Sequence, residues 1–156
     1  MGNADFTFTS FHGIPDPETM AGILDLYNIL FEDADSDFFI NRLQDKKDLF
    51  SALAYKGDNL VGFKIGYRVD ENTFYSWIGG VAASYRRRGI ANQLAEIQEK
   101  WGASKGFDFI KTKSMNRFKP MMILNLKRGF EITQVYTNPA SQTKIVFFKD
   151  ISLKKP

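Results

Sequence analysis

Cysteine is absent from the 156 residues, and histidine occurs once, as His12. The first absence removes disulfide frameworks, thiolate nucleophiles and cysteine-ligated zinc, and it agrees with a reducing compartment. The second leaves only one residue for a serine-histidine-acid triad, and His12 sits in a Phe-His-Gly context that reads as a surface or turn position. No apolar stretch approaches the length of a bilayer span. Met1-Gly2-Asn3-Ala4-Asp5 also lacks the basic-then-apolar pattern of a secretory signal. A cytoplasmic protein with no membrane partner and no metal is the expectation.

What is present fills a core. The chain is 44% hydrophobic and carries 15 Phe, 6 Tyr and 2 Trp, ample for one domain over residues 1–156. Its net charge of +3 hides an asymmetry: residues 1–58 hold eleven acids against four bases, and residues 59–156 hold seven acids against seventeen bases. The second part suits a polyanion and the first a cation.

Asp5 to Phe11 alternates as a strand that ends at Gly13. Asp16-Pro17-Glu18 is a helix start, with Asp16 as the cap and Pro17 in the first turn; Met20, Ile23, Leu24, Tyr27, Leu30 and Phe31 mark the apolar face. After the acidic run Glu32 to Asp37, Phe38 to Gln44 reads as a short helix. Leu49 to Lys56 and Leu60 to Asp70 read as a hairpin about Gly57-Asp58-Asn59, and Thr73 to Val81 as the next strand, with Gly79-Gly80 expected to mark a bulge. A long helix from Ile90 stops near Gly102 and Gly106 before a strand over Phe107 to Ser114. That strand-helix-strand succession implies a parallel pair. Pro120 opens a helix that Gly129 caps, Phe130 to Tyr136 and Lys144 to Ile151 close as a hairpin, and Lys154-Lys155-Pro156 is expected to fray.

The run Ser84-Tyr85-Arg86-Arg87-Arg88-Gly89-Ile90-Ala91 ends the apolar strand, supplies a turn and opens the amphipathic helix, whose Ile90, Leu94, Ile97 and Trp101 share one face. Amides of such a turn and of the first helical residues lack helical partners, and the helix dipole favours an anion there. Gly89 and Ala91 keep the backbone bare. The amides of Arg87, Arg88, Gly89, Ile90, Ala91 and Asn92 are therefore the candidate pyrophosphate site.

The spacing Arg86-x-x-Gly89-x-Ala91 after Gly79-Gly80-Val81, with Pro120 to Lys127-Arg128-Gly129-Phe130 later, resembles the GCN5-related N-acetyltransferase (GNAT) family. The resemblance implies a mixed α/β fold, with a central, mostly antiparallel sheet flanked by about four helices. It implies acetyl-CoA as cosubstrate and an amine as acceptor, either a small cationic amine or a peptide or protein amine. It implies carbonyl-oxygen donors at Gly80 and Val81, a pantetheine contact at Asn116 and a ribose-phosphate contact at Lys127. Asn125 falls where many relatives carry a tyrosine acid; an amide can donate a hydrogen bond there but delivers no proton. The strand that carries a glutamate in many relatives reads Phe74-Tyr75-Ser76-Trp77-Ile78 here. Glu32 is then the candidate base, and Asp33, Asp35, Asp37 and Tyr75 are the candidate acceptor contacts. A monomer or homodimer is expected. Two alternatives stay open on sequence: a module that binds acetyl-CoA without turnover, and a nucleic-acid binder that uses the arginines.

Overall fold

A computed structural model describes residues 5–153; the carboxy-terminal lysines expected to fray lie outside the described residues. Asp16 starts the first helix as the sequence predicts. Its carboxylate accepts the Thr19 amide at 2.8 Å, which holds it below the usual carboxylate range, and Pro17 occupies the first turn. Strand β1 (Thr7–His12) leads into this helix, α1 (Pro17–Leu30), and then into α2 (Ser36–Leu43). Helix α2 begins two residues earlier than expected because Asp35 caps it, accepting the Phe38 amide at 3.1 Å. Strands β2 (Phe50–Lys56), β3 (Asn59–Arg68) and β4 (Thr73–Val81) form an antiparallel meander on β1. A short 3₁₀ turn over Ala83–Tyr85 precedes α3 (Ile90–Ser104), β5 (Phe109–Ser114) and α4 (Lys119–Lys127), and β6 (Glu131–Thr137) and β7 (Thr143–Asp150) close the chain.

One sheet runs β1-β2-β3-β4-β5-β7-β6, and its single parallel pair is β4 with β5, as the crossover through α3 requires. Each face is covered by its own apolar cluster. Ile23, Tyr27, Phe39, Leu43, Phe63 and Tyr67 bind α1 and α2 to one face, and Phe50, Phe74, Ile90, Leu94, Ile110 and Phe147 belong to the other. Gly62 lets α3 approach: a Cβ there would stand 3.1 Å from Ile90 and 3.3 Å from Leu94.

Two expectations are corrected. Phe107 is not in a strand; it lies buried in the loop before β5, with its ring 5.5 Å from Phe74 and 6.1 Å from Trp101. The β4 bulge is not at Gly79-Gly80, which pair in register with Lys64 and Phe63; it falls at Trp77, skipped between Ile65–Ile78 and Gly66–Ser76. Trp77 is the largest side chain on the strand, and it leaves the regular pleat to pack on Phe39 at 5.1 Å with the Arg42 guanidinium 4.8 Å from its ring. Packing on a bulky residue, not the flexibility of glycine, sets the break.

Candidate active site

The turn from β4 to α3 is shaped to leave amides free. Arg87 (φ 66°) and Gly89 (φ 78°) are left-handed on either side of Arg88, which is not, and this alternation gathers successive N–H groups into an anion-binding concavity. Among the described residues the amides of Arg87, Arg88 and Gly89 donate to nothing in the chain. Those of Ile90, Ala91 and Asn92 form the first turn of α3, where no preceding helical carbonyl exists, and the ladder begins with Gln93 on the Gly89 carbonyl. Arg86 shapes the turn, its Nε donating to the Val81 carbonyl at 3.1 Å, and Arg88 lies over the rings of Phe6 and Tyr85.

Beside this turn the sheet opens. Strands β4 and β5 are paired only from Thr73–Phe109 to Ser76–Thr112, so Trp77 to Val81 have no β5 partner. The Ala82 amide donates to Val61 of β3 at 2.8 Å, and with the strand's period of two the amides of Gly79 and Val81 face the open side while Gly80 faces β3. Leu30, at the end of α1, overhangs Gly80. The cleft therefore runs from the free amides of the turn along unpaired strand backbone, a set of donors that fits a pyrophosphate followed by an amide-containing arm.

Asn125 is the one buried residue of α4, and its side-chain amide makes no hydrogen bond among the described residues. One turn on, Arg128 grips Glu99 of α3 with two bonds of 2.9 and 3.0 Å and donates to the Asn92 Oδ1 at 2.6 Å; Lys149 of β7 adds a third contact to Glu99 at 2.7 Å. Asn92 thus offers its backbone to the cleft while its side chain ties the start of α3 to α4. Lys64 runs on the same sheet face, across Gly79, where a Cβ would meet the Lys64 Cγ at 3.3 Å. Burial pushes its amine down to about 8, against the pull of Glu99 and with the push of Arg128.

That depression has a sign. Between about pH 8 and pH 10.5 the unfolded chain holds the Lys64 proton more tightly than the folded one, so this group makes stability rise with pH there and costs most below it. Lys64→Met is expected to raise the unfolding free energy at pH 7 by on the order of 2 kcal/mol and to flatten the rise. Urea unfolding at pH 7, 9 and 10 measures both; an unchanged slope would dismiss the assignment.

The acidic turn is partly structural. Asp35 caps α2, and its amide is held by the Tyr27 hydroxyl at 3.1 Å, whereas Glu32, Asp33 and Asp37 are exposed. Tyr75 is half-buried on β4, edge-on to Tyr67 at 5.7 Å, and burial raises its hydroxyl to about 12, so it stays protonated. Asn116 is exposed before α4 and its side chain does not cap that helix; Lys127 is exposed in the last turn of α4. His12 packs on Phe50 and Trp101 at the end of β1, with no hydrogen bond to a serine or carboxylate among the described residues. No group of three metal-ligating side chains occurs among the described residues. No helix among the described residues is long and apolar enough to cross a membrane. Sequence reasoning missed Glu99, Arg128 and Lys64; the only hint was a glutamate beside the apolar face of α3.

A sequence model of the acetyltransferase (GNAT) family matches residues 18–142. No curated protein matches the sequence. Among solved structures, the ribosomal-protein-S18-alanine N-acetyltransferase from Escherichia coli superposes with a TM-score of 0.79 at 13% identity, covering 96% of both chains. An aminoglycoside 6'-N-acetyltransferase complexed with coenzyme A gives 0.78 at 18% identity over 96% of this chain and 99% of the other. Arabidopsis thaliana NAA60 in complex with acetyl-CoA gives 0.74 at 18% identity over 93% and 99%. At these identities the likeness is one of fold.

Proposed function

The chain belongs to the acetyltransferase (GNAT) family as an acetyl-CoA-dependent N-acetyltransferase, and we propose that it acetylates a primary amine by direct attack of the amine on the thioester. The observation that carries this reading is the continuity of the free amides from Arg87 to Asn92 with the unpaired edge of β4. The first group holds phosphates. The Gly79 and Val81 amides supply donors to the pantetheine arm and to the carbonyl oxygen as it gains charge. The thioester supplies the activated acyl carbon.

Exposed carboxylates of the turn after α1 lie on the Leu30 side of Gly80, where an ammonium would be drawn, and Glu32 is the proposed proton acceptor. Asn125 donates a hydrogen bond to the departing sulfur. The neighbours that carry N-acetyltransferase names act on a ribosomal-protein alanine and an aminoglycoside, and both acceptor types are compatible with an amine-directed site here.

Release of free coenzyme A thiol, followed across a panel of amines, tests the reading: amine-dependent release is expected, and tight acetyl-CoA binding with no release from any amine would leave only a binding module. Within that assay Asn125→Ala should lower kcat about three- to tenfold, the worth of one neutral hydrogen bond, with the acceptor KM little changed. An unaltered kcat would remove Asn125 from the reaction.

A further inference from the structure

Three lysines converge on one face of the sheet beside the cleft, and none of them forms an ion pair with a carboxylate among the described residues. On β5, Ile110, Thr112 and Ser114 are buried, so Lys111 and Lys113 share the opposite face. Lys113 Nζ lies 3.0 Å from the Tyr136 hydroxyl and 6.0 Å from the Tyr75 ring, and Lys111 Nζ is 6.0 Å from the Tyr75 ring and 5.9 Å from that of Phe148. Lys144 of β7 stands directly opposite Tyr136 of β6 in register, on the same face. Lys113, with Lys144 and Lys111 behind it, lowers the Tyr136 hydroxyl.

Some cations elsewhere are matched, Arg68 with Asp48, Arg128 and Lys149 with Glu99, Lys100 with Glu96, while Arg86, Arg87 and Arg88 of the anion-binding turn, like the cluster, form no ion pair among the described residues. The charged groups around the cluster are Arg42, bound to the Tyr67 hydroxyl and over Trp77, Lys46 over Tyr67, the Asp70 carboxylate, whose charge Lys111 feels, and exposed Glu131 at the start of β6. Like charges gathered on one face repel and cost stability, which leaves an anion from outside as the natural counter-charge.

Position says what that anion belongs to. Lys113 is one residue beyond the last β4–β5 pair, where the strands part, level with Trp77 and two residues short of Gly79. It faces the side on which Phe38 and Phe39 of α2 pack against Trp77, the side that also carries the acidic turn. Two strand residues span roughly 7 Å. An acceptor held there has its nitrogen toward the Gly79 end and its other end among the lysines.

We propose that the acceptor is an amine carrying an oxyanion, a carboxylate or a phosphate, and that Lys113, Lys144 and Lys111 with the Tyr136 hydroxyl grip that group while the nitrogen is acylated. This rests on the acetyl-transfer reading above. It names the specificity of that site: a molecule with both charges, ammonium toward the acidic turn and anion toward the lysines.

Thiol release with five matched amines tests it: butylamine, 4-aminobutanoate, 1,4-diaminobutane, 3-aminopropanol and 3-aminopropyl phosphate. The anionic members are expected to exceed their neutral partners by about tenfold or more in kcat/KM, mostly through KM, as charge-assisted contacts would give. Whichever of 4-aminobutanoate and aminopropyl phosphate is favoured identifies the oxyanion. In the Lys113→Met, Lys144→Met variant the ratio of anionic to neutral acceptor should fall to about one while acetyl-CoA affinity by calorimetry is retained, and added salt should shrink the same ratio in the parent protein. Equal rates for all five, a preference for diaminobutane, or a ratio that survives the double substitution overturns the anion grip and leaves acetyl transfer standing. No release with any of the five and none with any other amine overturns acetyl transfer itself.

Discussion

Asn92→Asp is expected to weaken acetyl-CoA binding by about 10- to 100-fold while the protein melts no lower than its parent. The substitution is isosteric. The Asn92 Oδ1 already accepts Arg128 at 2.6 Å, and a carboxylate accepts the same bond more strongly. A negative charge in the first turn of a helix also favours the helix, by about 0.3–1 kcal/mol. Folding therefore gains or holds. Binding loses, because the new charge sits among the amides proposed for a pyrophosphate, where two like charges about 4–5 Å apart repel by roughly 1–4 kcal/mol between the aqueous and near-surface limits. Asn92→Ala separates the two effects: it drops the tie to Arg128 without adding charge, and its affinity should change little. Valine at Gly89, a more obvious block, is a poorer probe because φ there is 78°, a region in which a β-branched residue is strained whatever the ligand does. Unchanged affinity in the folded Asn92→Asp protein would move the phosphates off the start of α3.

The sequence announces this turn because all its ingredients are local. Arg86, Gly89 and Ala91 stand within six residues, a strand pattern precedes them and a helical face follows. The same is true of the Asp16-Pro17 start and of the turn at Gly57-Asp58-Asn59, each of which appears in the fold where the pattern puts it. Features set by distant partners are not legible in that way. Glycine pairs advertise a weak strand, yet the bulge in β4 goes to Trp77, because Phe39 and Arg42, more than thirty residues earlier, provide its packing. Phe107 belongs to the apolar run that looks like β5, and only the presence of Phe74 and Trp101 above it explains why it serves as a plug before the strand.

The lysine cluster illustrates the same limit from the functional side. Period two places Lys111 and Lys113 on one face of β5, and that much can be read along the chain. That Lys144 and Tyr136 join them depends on the order β5-β7-β6. The amino-terminal acids suggested a cationic acceptor from charge counts, and the fold adds what counting could not: a positive surface facing the same opening. Charge counts divide the chain into an acidic first part and a basic second part, and which of the bases share a face is set by the strand order.

Glu99→Ala is expected to produce the largest loss of stability of any single substitution proposed here, about 3–5 kcal/mol. The Glu99 side chain is 11% exposed, with Arg128 at 15% and Lys149 at 23%, so water can do little to replace it. Two bonds from Arg128 and one from Lys149 end on its carboxylate, and the hydrogen bonds it accepts, with its charge, raise the Arg128 pKa. Without it, two cations remain close together and part-buried, with Lys64 nearby. For a domain of this size the melting temperature should drop by roughly 10 °C. The carboxylate also supports the proton on Lys64, so its removal should move the onset of the pH-dependent rise in stability below pH 8. Replacing all three groups by apolar residues of similar volume should recover most of the loss, since an apolar core does not need the charges. Acetyl-CoA affinity should change little, as in Asn92→Ala, because what is lost beside the amides is again the tie between Arg128 and the Asn92 side chain. A Glu99→Ala protein that melts within about 2–3 °C of its parent, close to 1 kcal/mol, would show that the network is solvated and that α3 and α4 are joined by apolar packing alone.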